Sequence, residues 1–167
     1  MMRTGLGYDL HRLQAGRPLI LGGIRVPHSA GLLGHSDGDA LVHALIDAIL
    51  GAMGEGDIGR LFPDTNPRWR GANSVDLLRD VMKRLRAKKM RLVHADAVVV
   101  AERPKLGPHF ESMKDVLCPV LGLARDGLGL KAKTNEGLGL IGRGRAIACW
   151  AVVLAEATGR SASRRRP

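Results

Sequence analysis

Cysteine is nearly absent from this chain. Cys118 and Cys149 are its only two, too few for a disulfide framework or a four-thiolate zinc site, and both read as buried thiols. Aromatic residues are also scarce: two Phe, two Trp and one Tyr do not make a base-stacking platform for nucleic acid. Apolar runs stop early. Ala146–Ala155 falls well short of the ~20 residues that cross a bilayer, which excludes a membrane anchor. The opening MMRTGLGYDLHRL has no apolar stretch of the secretory kind, so a cytoplasmic location is expected.

Positive charge, by contrast, is in excess. The net charge is +10 over 167 residues, which suits polyanionic partners. Four of those charges are Arg160, Arg164, Arg165 and Arg166, in a stretch without acids. The residues before them carry +6, a moderate excess that fits a phosphorylated small substrate and needs no nucleic acid. The hydrophobic fraction of 45% and charged fraction of 25% are those of a folded globular chain. One domain over residues 1–158 is expected, followed by a disordered arginine-rich tail over 159–167.

Periodicity gives the outline. Met1–His11 reads as a strand, with Leu6, Tyr8 and Leu10 alternating with Gly7, Asp9 and His11. Leu19–Leu21 and Ile24–Val26, split by Gly22-Gly23, read as a hairpin. Ser36, with a carboxylate three residues on at Asp39, opens a helix through about Met53. Asn73 or Ser74 starts a second helix, Val75–Ala87, and Pro108–Leu121 is a third. Ala95–Ala101, Leu128–Thr134 and Ala146–Glu156 read as strands, although the last is alanine-rich enough to be helical. This order predicts an α/β (α+β) sandwich: about four strands in a mixed sheet, with helices on one face.

Three groups of residues carry chemistry. Asp9 and His11, two apart on a strand, leave the same face, while His43 shares a polar stripe with Asp39 and Asp47 on an otherwise apolar helix. Two histidines and one aspartate leave a coordination position free, the pattern of a catalytic zinc site, with Asp39 or Asp47 available to hold the other nitrogen of His43. By themselves the same residues also read as hydrogen-bonded core groups. In Thr134–Arg145, Gly137, Gly139, Gly142 and Gly144 let backbone approach a phosphate, with Lys131, Lys133, Arg143 and Arg145 nearby. Thr134 can donate to a phosphate oxygen, and Glu136 suits a hard divalent ion; a flexible hairpin loop is the plainer reading. Asp57 to Gly59 and Phe62 to Asn66 form turns suited to sugar hydroxyls, and Ala101–Leu106 follows a buried strand, where ligand-binding loops of α/β sheets sit.

Five segments, in order and spacing, resemble the 2-C-methyl-D-erythritol 2,4-cyclodiphosphate synthase family. They are GYDLHRL, LGGIRVPHSAGLLGHSDGDALVHALIDAILGA, GDIGRLFPDTNPRW, AERPKLGPH and KAKTNEGLGLIGRGRAIA. The resemblance runs from about Arg3 to Ala157. It implies an enzyme of non-mevalonate isoprenoid biosynthesis, closing 4-diphosphocytidyl-2-C-methyl-D-erythritol 2-phosphate to the 2,4-cyclodiphosphate with release of CMP. It further implies zinc on Asp9, His11 and His43, and magnesium or manganese near Glu136. His35, Ser36 and Thr134 are implied at the phosphates, with His35 and Thr134 closest to the chemistry.

By the same resemblance Asp57, Ile58 and Gly59 meet the erythritol, and Phe62, Pro63, Asp64, Thr65 and Asn66 line the site. Ala101, Glu102, Arg103, Pro104, Lys105, Leu106 and Gly107 meet the cytidine end with Lys133, beside Asn135. The implied assembly is a homotrimer with active sites between subunits and a central cavity that takes isoprenoid diphosphates. Arg143 is the implied phosphate anchor on the threefold axis. Leu140 stands where the family usually has Phe, so the cavity stays apolar with a different shape. A non-catalytic trimeric or nucleic-acid-binding metal protein is one competing expectation, which leaves the glycine loop, Lys133 and Glu136 without a role; metal-dependent phosphoester hydrolysis is the other.

Overall fold

A computed structural model describes residues 1–158. The arginine-rich tail expected over 159–167 lies outside the described residues. The first strand is longer than its alternation suggested: β1 spans Met2–Ala15. A hairpin follows, β2 (Leu19–Leu21) and β3 (Ile24–Val26). Its turn residues Gly22 and Gly23 have φ of 61° and 77°, the left-handed pair that a two-residue hairpin turn requires. Next come β4 (Ala30–Leu32), α1 (Ala40–Met53), α2 (Ile58–Leu61), α3 (Ser74–Ala87) and β5 (Met90–Val100). The described residues end with α4 (Phe110–Leu121), β6 (Leu128–Lys133), α5 (Gly139–Gly142) and β7 (Ala146–Ala157).

The main sheet has five strands, not about four, in the order β4-β1-β7-β5-β6. The additional strand, β4, pairs only Ala30–Leu32 with Leu13–Ala15, and three edge residues are too few to produce a period in the sequence. β5 and β6 run parallel and the other neighbours antiparallel, so the sheet is mixed as expected. The alanine-rich Ala146–Ala157 is a strand, seated between β1 and β5. α1 packs across β1 and β7, α3 against α1 and β5, and α4 against α3 and β6, which puts the long helices on one face.

The alternation in β1 is inverted relative to a usual half-buried strand. Leu6, Tyr8 and Leu10 lie on the open face of the sheet, and Gly5 and Gly7 lie under α1. A Cβ on Gly5 would stand 1.8 Å from the carbonyl oxygen of Ala48, and one on Gly7 would stand 1.9 Å from that of Ala44. The helix therefore rests on strand backbone, and its separation from β1 is set by the missing side chains. Gly7→Ala is expected to destabilise the fold by about 3 kcal/mol or more, because helix backbone cannot move aside as a side chain can. A urea midpoint equal to wild type would contradict this packing account.

Candidate metal centre

The cap of α1 is Asp39, not Ser36. The Asp39 side chain accepts from the Val42 amide at 3.0 Å and, in the same buried position, from Gly22 at 2.9 Å and Gly23 at 2.7 Å. One carboxylate thus caps the helix and ties it to the hairpin turn. Burial pushes the Asp39 carboxyl above the ordinary range, against the three amides that favour its charged form. His43 is one turn into this helix, on the side that meets β1 beyond the close contact at Gly5 and Gly7.

There it meets Asp9 and His11. Asp9 Oδ2 lies 2.9 Å from His11 Nε2 and 3.1 Å from His43 Nδ1, and the two ring nitrogens are 3.2 Å apart. One donor atom from each residue falls within 4.8 Å of the others, so the three can share a metal ion. Both rings are held from behind. His11 Nδ1 donates to the Leu33 carbonyl at 2.6 Å, leaving Nε2 for the cluster. His43 Nε2 points to Ser74 Oγ at 2.9 Å and Ser36 Oγ at 3.1 Å, leaving Nδ1. This is the arrangement a histidine needs to offer a lone pair to a cation. Asp39 and Asp47, the expected holders of His43, do other work: Asp39 caps α1 and Asp47 accepts from the Ile58 amide at 2.7 Å.

Burial raises the pKa of Asp9, but hydrogen bonds and charge from His11 and His43 outweigh it and hold the carboxyl at about 2. For His11 burial favours the neutral ring, yet the bond to Asp9 and its charge lift the pKa above the ordinary histidine value. The pairing stabilises the metal-free protein while Asp9 is ionised and His11 protonated. That contribution fades as pH rises through the raised His11 pKa, and again as pH falls towards about 2. A cation needs the neutral ring, so metal binding at pH 6 is expected to expel protons. Calorimetry in two buffers of different ionisation enthalpy measures this, and equal heats would mean no proton leaves.

Beside the cluster opens a cleft of about 370 Å³. Of the residues named from sequence, Asp9, His11, His35, Ser36, His43, Ile58, Gly59, Phe62 and Asp64 line it. His35 Nε2 is buried and has no hydrogen-bond partner among the described residues, an unusual state for a polar atom in a folded protein. Asp57, Pro63, Thr65 and Asn66 are not in the lining. Asp57 caps α2 by accepting from the Arg60 amide at 2.9 Å, and Asn66 accepts from the Arg68 amide at 3.0 Å. Sequence reasoning missed Trp69 and Leu77, which complete the wall. Trp69 meets Phe62 edge-on with ring centroids 5.0 Å apart and carries the Arg68 guanidinium 4.5 Å from its ring centre. One of only two tryptophans, three residues beyond the named 62–66 segment, was the available signal.

The other named residues form separate groups. Ala101 to Gly107 and Lys133 to Glu136 come together where parallel β5 and β6 end. The Ala101 amide donates to the Lys133 carbonyl at 3.0 Å, and Asn135 N donates to Glu102 Oε2 at 3.2 Å. Thr134 Oγ1 donates to Glu136 Oε1 at 2.7 Å, and Glu136 has a left-handed φ of 49°. In the sheet, Asp9 pairs with Cys149, Cys149 with Val99 and Val99 with Ala132. Three strand spacings, about 14 Å, therefore separate the metal-binding row from the Lys133 strand. None of the 101–107 or 133–136 residues lines the metal cleft. Leu140 and Arg143 line a third space, about 560 Å³, with Leu10, Arg12 and Arg145.

A family model described as YgbB matches residues 2–156, nearly the whole described chain. The chain belongs to the YgbB family. Its YgbB relatives include the 2-C-methyl-D-erythritol 2,4-cyclodiphosphate synthase of Gloeobacter violaceus, 56% identical over 93% of this chain and 95% of that one. The synthase of Bordetella avium is 55% identical over 91% and 94%. A solved 2C-methyl-D-erythritol-2,4-cyclodiphosphate synthase in its CDP-bound form superposes with a TM-score of 0.85, at 48% identity over 92% of this chain and 100% of that one. The bifunctional IspDF of Campylobacter jejuni superposes at 0.90 with 39% identity, and this chain spans 42% of that longer protein. The YgbB fold is thus shared by single-function and fused proteins.

Proposed function

We propose that this chain converts 4-diphosphocytidyl-2-C-methyl-D-erythritol 2-phosphate to 2-C-methyl-D-erythritol 2,4-cyclodiphosphate and CMP in non-mevalonate isoprenoid biosynthesis, in the cytoplasm. The observation that carries it is the Asp9, His11 and His43 cluster, with both rings in ligating orientation, beside the unpartnered His35 Nε2. A 2-phosphate oxygen attacks the β-phosphorus of the same molecule. The bond from that phosphorus to the oxygen bridging the α-phosphorus breaks, and its electron pair leaves with CMP.

Two imidazoles and one carboxylate fit zinc with a position left for substrate, and the Glu136 carboxylate fits magnesium or manganese. The cations would supply positive charge to the diphosphate oxygens. The protein's own part is to orient and to exclude water, which is most of what phosphoryl transfer needs. His35 and Ser36, which line the cleft, meet the phosphates, and Thr134 joins them from the loop by exchanging its bond to Glu136 for one to phosphate. Asp57, Ile58 and Gly59 position the erythritol against the wall made by Phe62 and Asp64, which Trp69 backs. Ala101 to Gly107, with Lys133 and Asn135, receive the cytidine, a role supported by the CDP-bound relative.

These groups lie apart in one chain, and a homotrimer unites them by bringing the β5–β6 end of one subunit to the metal cleft of the next. The open face of the sheet supports this assembly. Leu6 is 67% exposed, and Tyr8, Leu10, Trp150 and Val152 stand beside it, an apolar patch of the kind that marks an interface. Threefold packing of that face would gather the Leu140 and Arg143 spaces into a central cavity for an isoprenoid diphosphate. The test is one incubation with the cytidylyl substrate, zinc and magnesium. CMP with the cyclic diphosphate supports the reading. Free phosphate would indicate a phosphoesterase, and an unchanged substrate a non-catalytic metal protein.

A further inference from the structure

Behind the metal cluster stands a pair of residues that neither lines the cleft nor touches a metal position. Ser74, the first residue of α3, is wholly buried. Its hydroxyl is bonded to an Asp37 carboxylate oxygen and lies 2.9 Å from His43 Nε2. A carboxylate only accepts, so the Ser74 proton goes to Asp37, and the Ser74 oxygen is left to accept from His43. Asp37 is fixed in turn: its Oδ2 takes the Ser74 amide at 2.9 Å, and its Oδ1 takes the Asp39 amide at 3.2 Å. The direction of every bond follows from the Asp37 charge. The chain Asp37–Ser74–His43 therefore commits the Nε2 proton of His43 inward and its Nδ1 lone pair outward.

Ser36 is the other hydroxyl near His43 Nε2, at 3.1 Å, but its position differs. It lines the cleft, and its oxygen also takes the Gly38 amide at 3.3 Å. With the Ser74 proton committed to Asp37, the Ser36 hydroxyl can donate to Ser74 Oγ at 3.4 Å, while its side chain stays in the wall of the cleft. Two neighbouring serines thus divide two tasks.

We propose that Asp37 and Ser74 are positioning residues for the metal centre, acting through His43 alone. This rests on the reading of Asp9, His11 and His43 as a metal site. Partners of this kind are worth 10–100-fold in metal affinity. Ser74→Ala and Asp37→Ala should each weaken zinc binding by about that factor, measured by competition with a chromophoric chelator. Because Asp37 reaches the metal only through Ser74, the double variant should bind zinc no more weakly than Ser74→Ala. Circular dichroism and urea unfolding report separately on folding. If Ser74→Ala fails to fold, Asp37→Ala decides, since Asp37 is only half-buried and contacts no metal ligand side chain. Zinc affinities of the folded variants equal to wild type would overturn the proposal, as would additive losses in the double variant. A wild-type protein that binds no zinc would instead overturn the metal reading beneath it.

Discussion

His43→Ala is expected to give a folded protein without zinc and with turnover more than ~10³-fold below wild type, about 4 kcal/mol of barrier. On the proposed reading its imidazole is one of three protein ligands, so two would remain, and two are too few to hold zinc against solvent. The rest of α1 buries Leu41, Leu45, Ile46 and Ile49 fully and keeps its Asp39 cap. The substitution leaves Ser74 and Ser36 without their ring partner, a loss of about 1–3 kcal/mol that the fold should survive. Metal content by elemental analysis, turnover and urea unfolding must be read together. Substantial turnover in a zinc-free variant would refute the assignment of the centre.

Glu136→Gln should leave zinc in place while turnover falls ~10²-fold or more, the scale of one lost electrostatic contact in a transition state. The structure makes this variant more discriminating than the sequence alone did. Glu136 also accepts a hydrogen bond from Thr134, and a glutamine amide oxygen can accept it too. Loop geometry should therefore survive while the charge does not. Activity measured against magnesium concentration separates the two roles: a metal ligand shifts the curve to higher magnesium. Superimposable curves would show that the carboxylate serves only the loop and that the two-metal scheme is wrong.

Much of the metal centre was legible because its parts are local patterns. Asp9 and His11 obey strand alternation, and His43 obeys the helical stripe, so each points where its period says. The support behind His43 was not legible. Asp39 and Asp47 share its helix and were the natural candidates, whereas Ser74 is 31 residues away and reaches it only through α3 packing on α1. The strand face of β1 was misleading in a different way. Leu6, Tyr8 and Leu10 are apolar yet exposed, because helix-on-strand contact so close admits only glycine on the other face. β4 and the four-residue α2 and α5 were too short to show a period. β5 began five residues earlier than expected, where a bulge between Leu92 and His94 breaks the alternation.

The strand order β1-β7-β5 also bears on how the chain reaches this state. β7 pairs Ile147 with His11 on one side and Cys149 with Val99 on the other, so the last strand is the seam between two earlier parts. β1 with α1 is one part, formed by contacts within the first 53 residues, and it contains all three side chains of the candidate metal centre. β5 with β6 is the other, and it leads into the loops proposed to meet the nucleotide. Joining them means closing a loop of most of the chain, a slow event for a sheet built on distant pairings. During synthesis, the metal-binding unit emerges first and waits for a strand made last. On the proposed zinc reading the three donors come together before the sheet closes and are fixed only when α3 brings Ser74 to His43, and refolding from denaturant should accelerate when zinc is included.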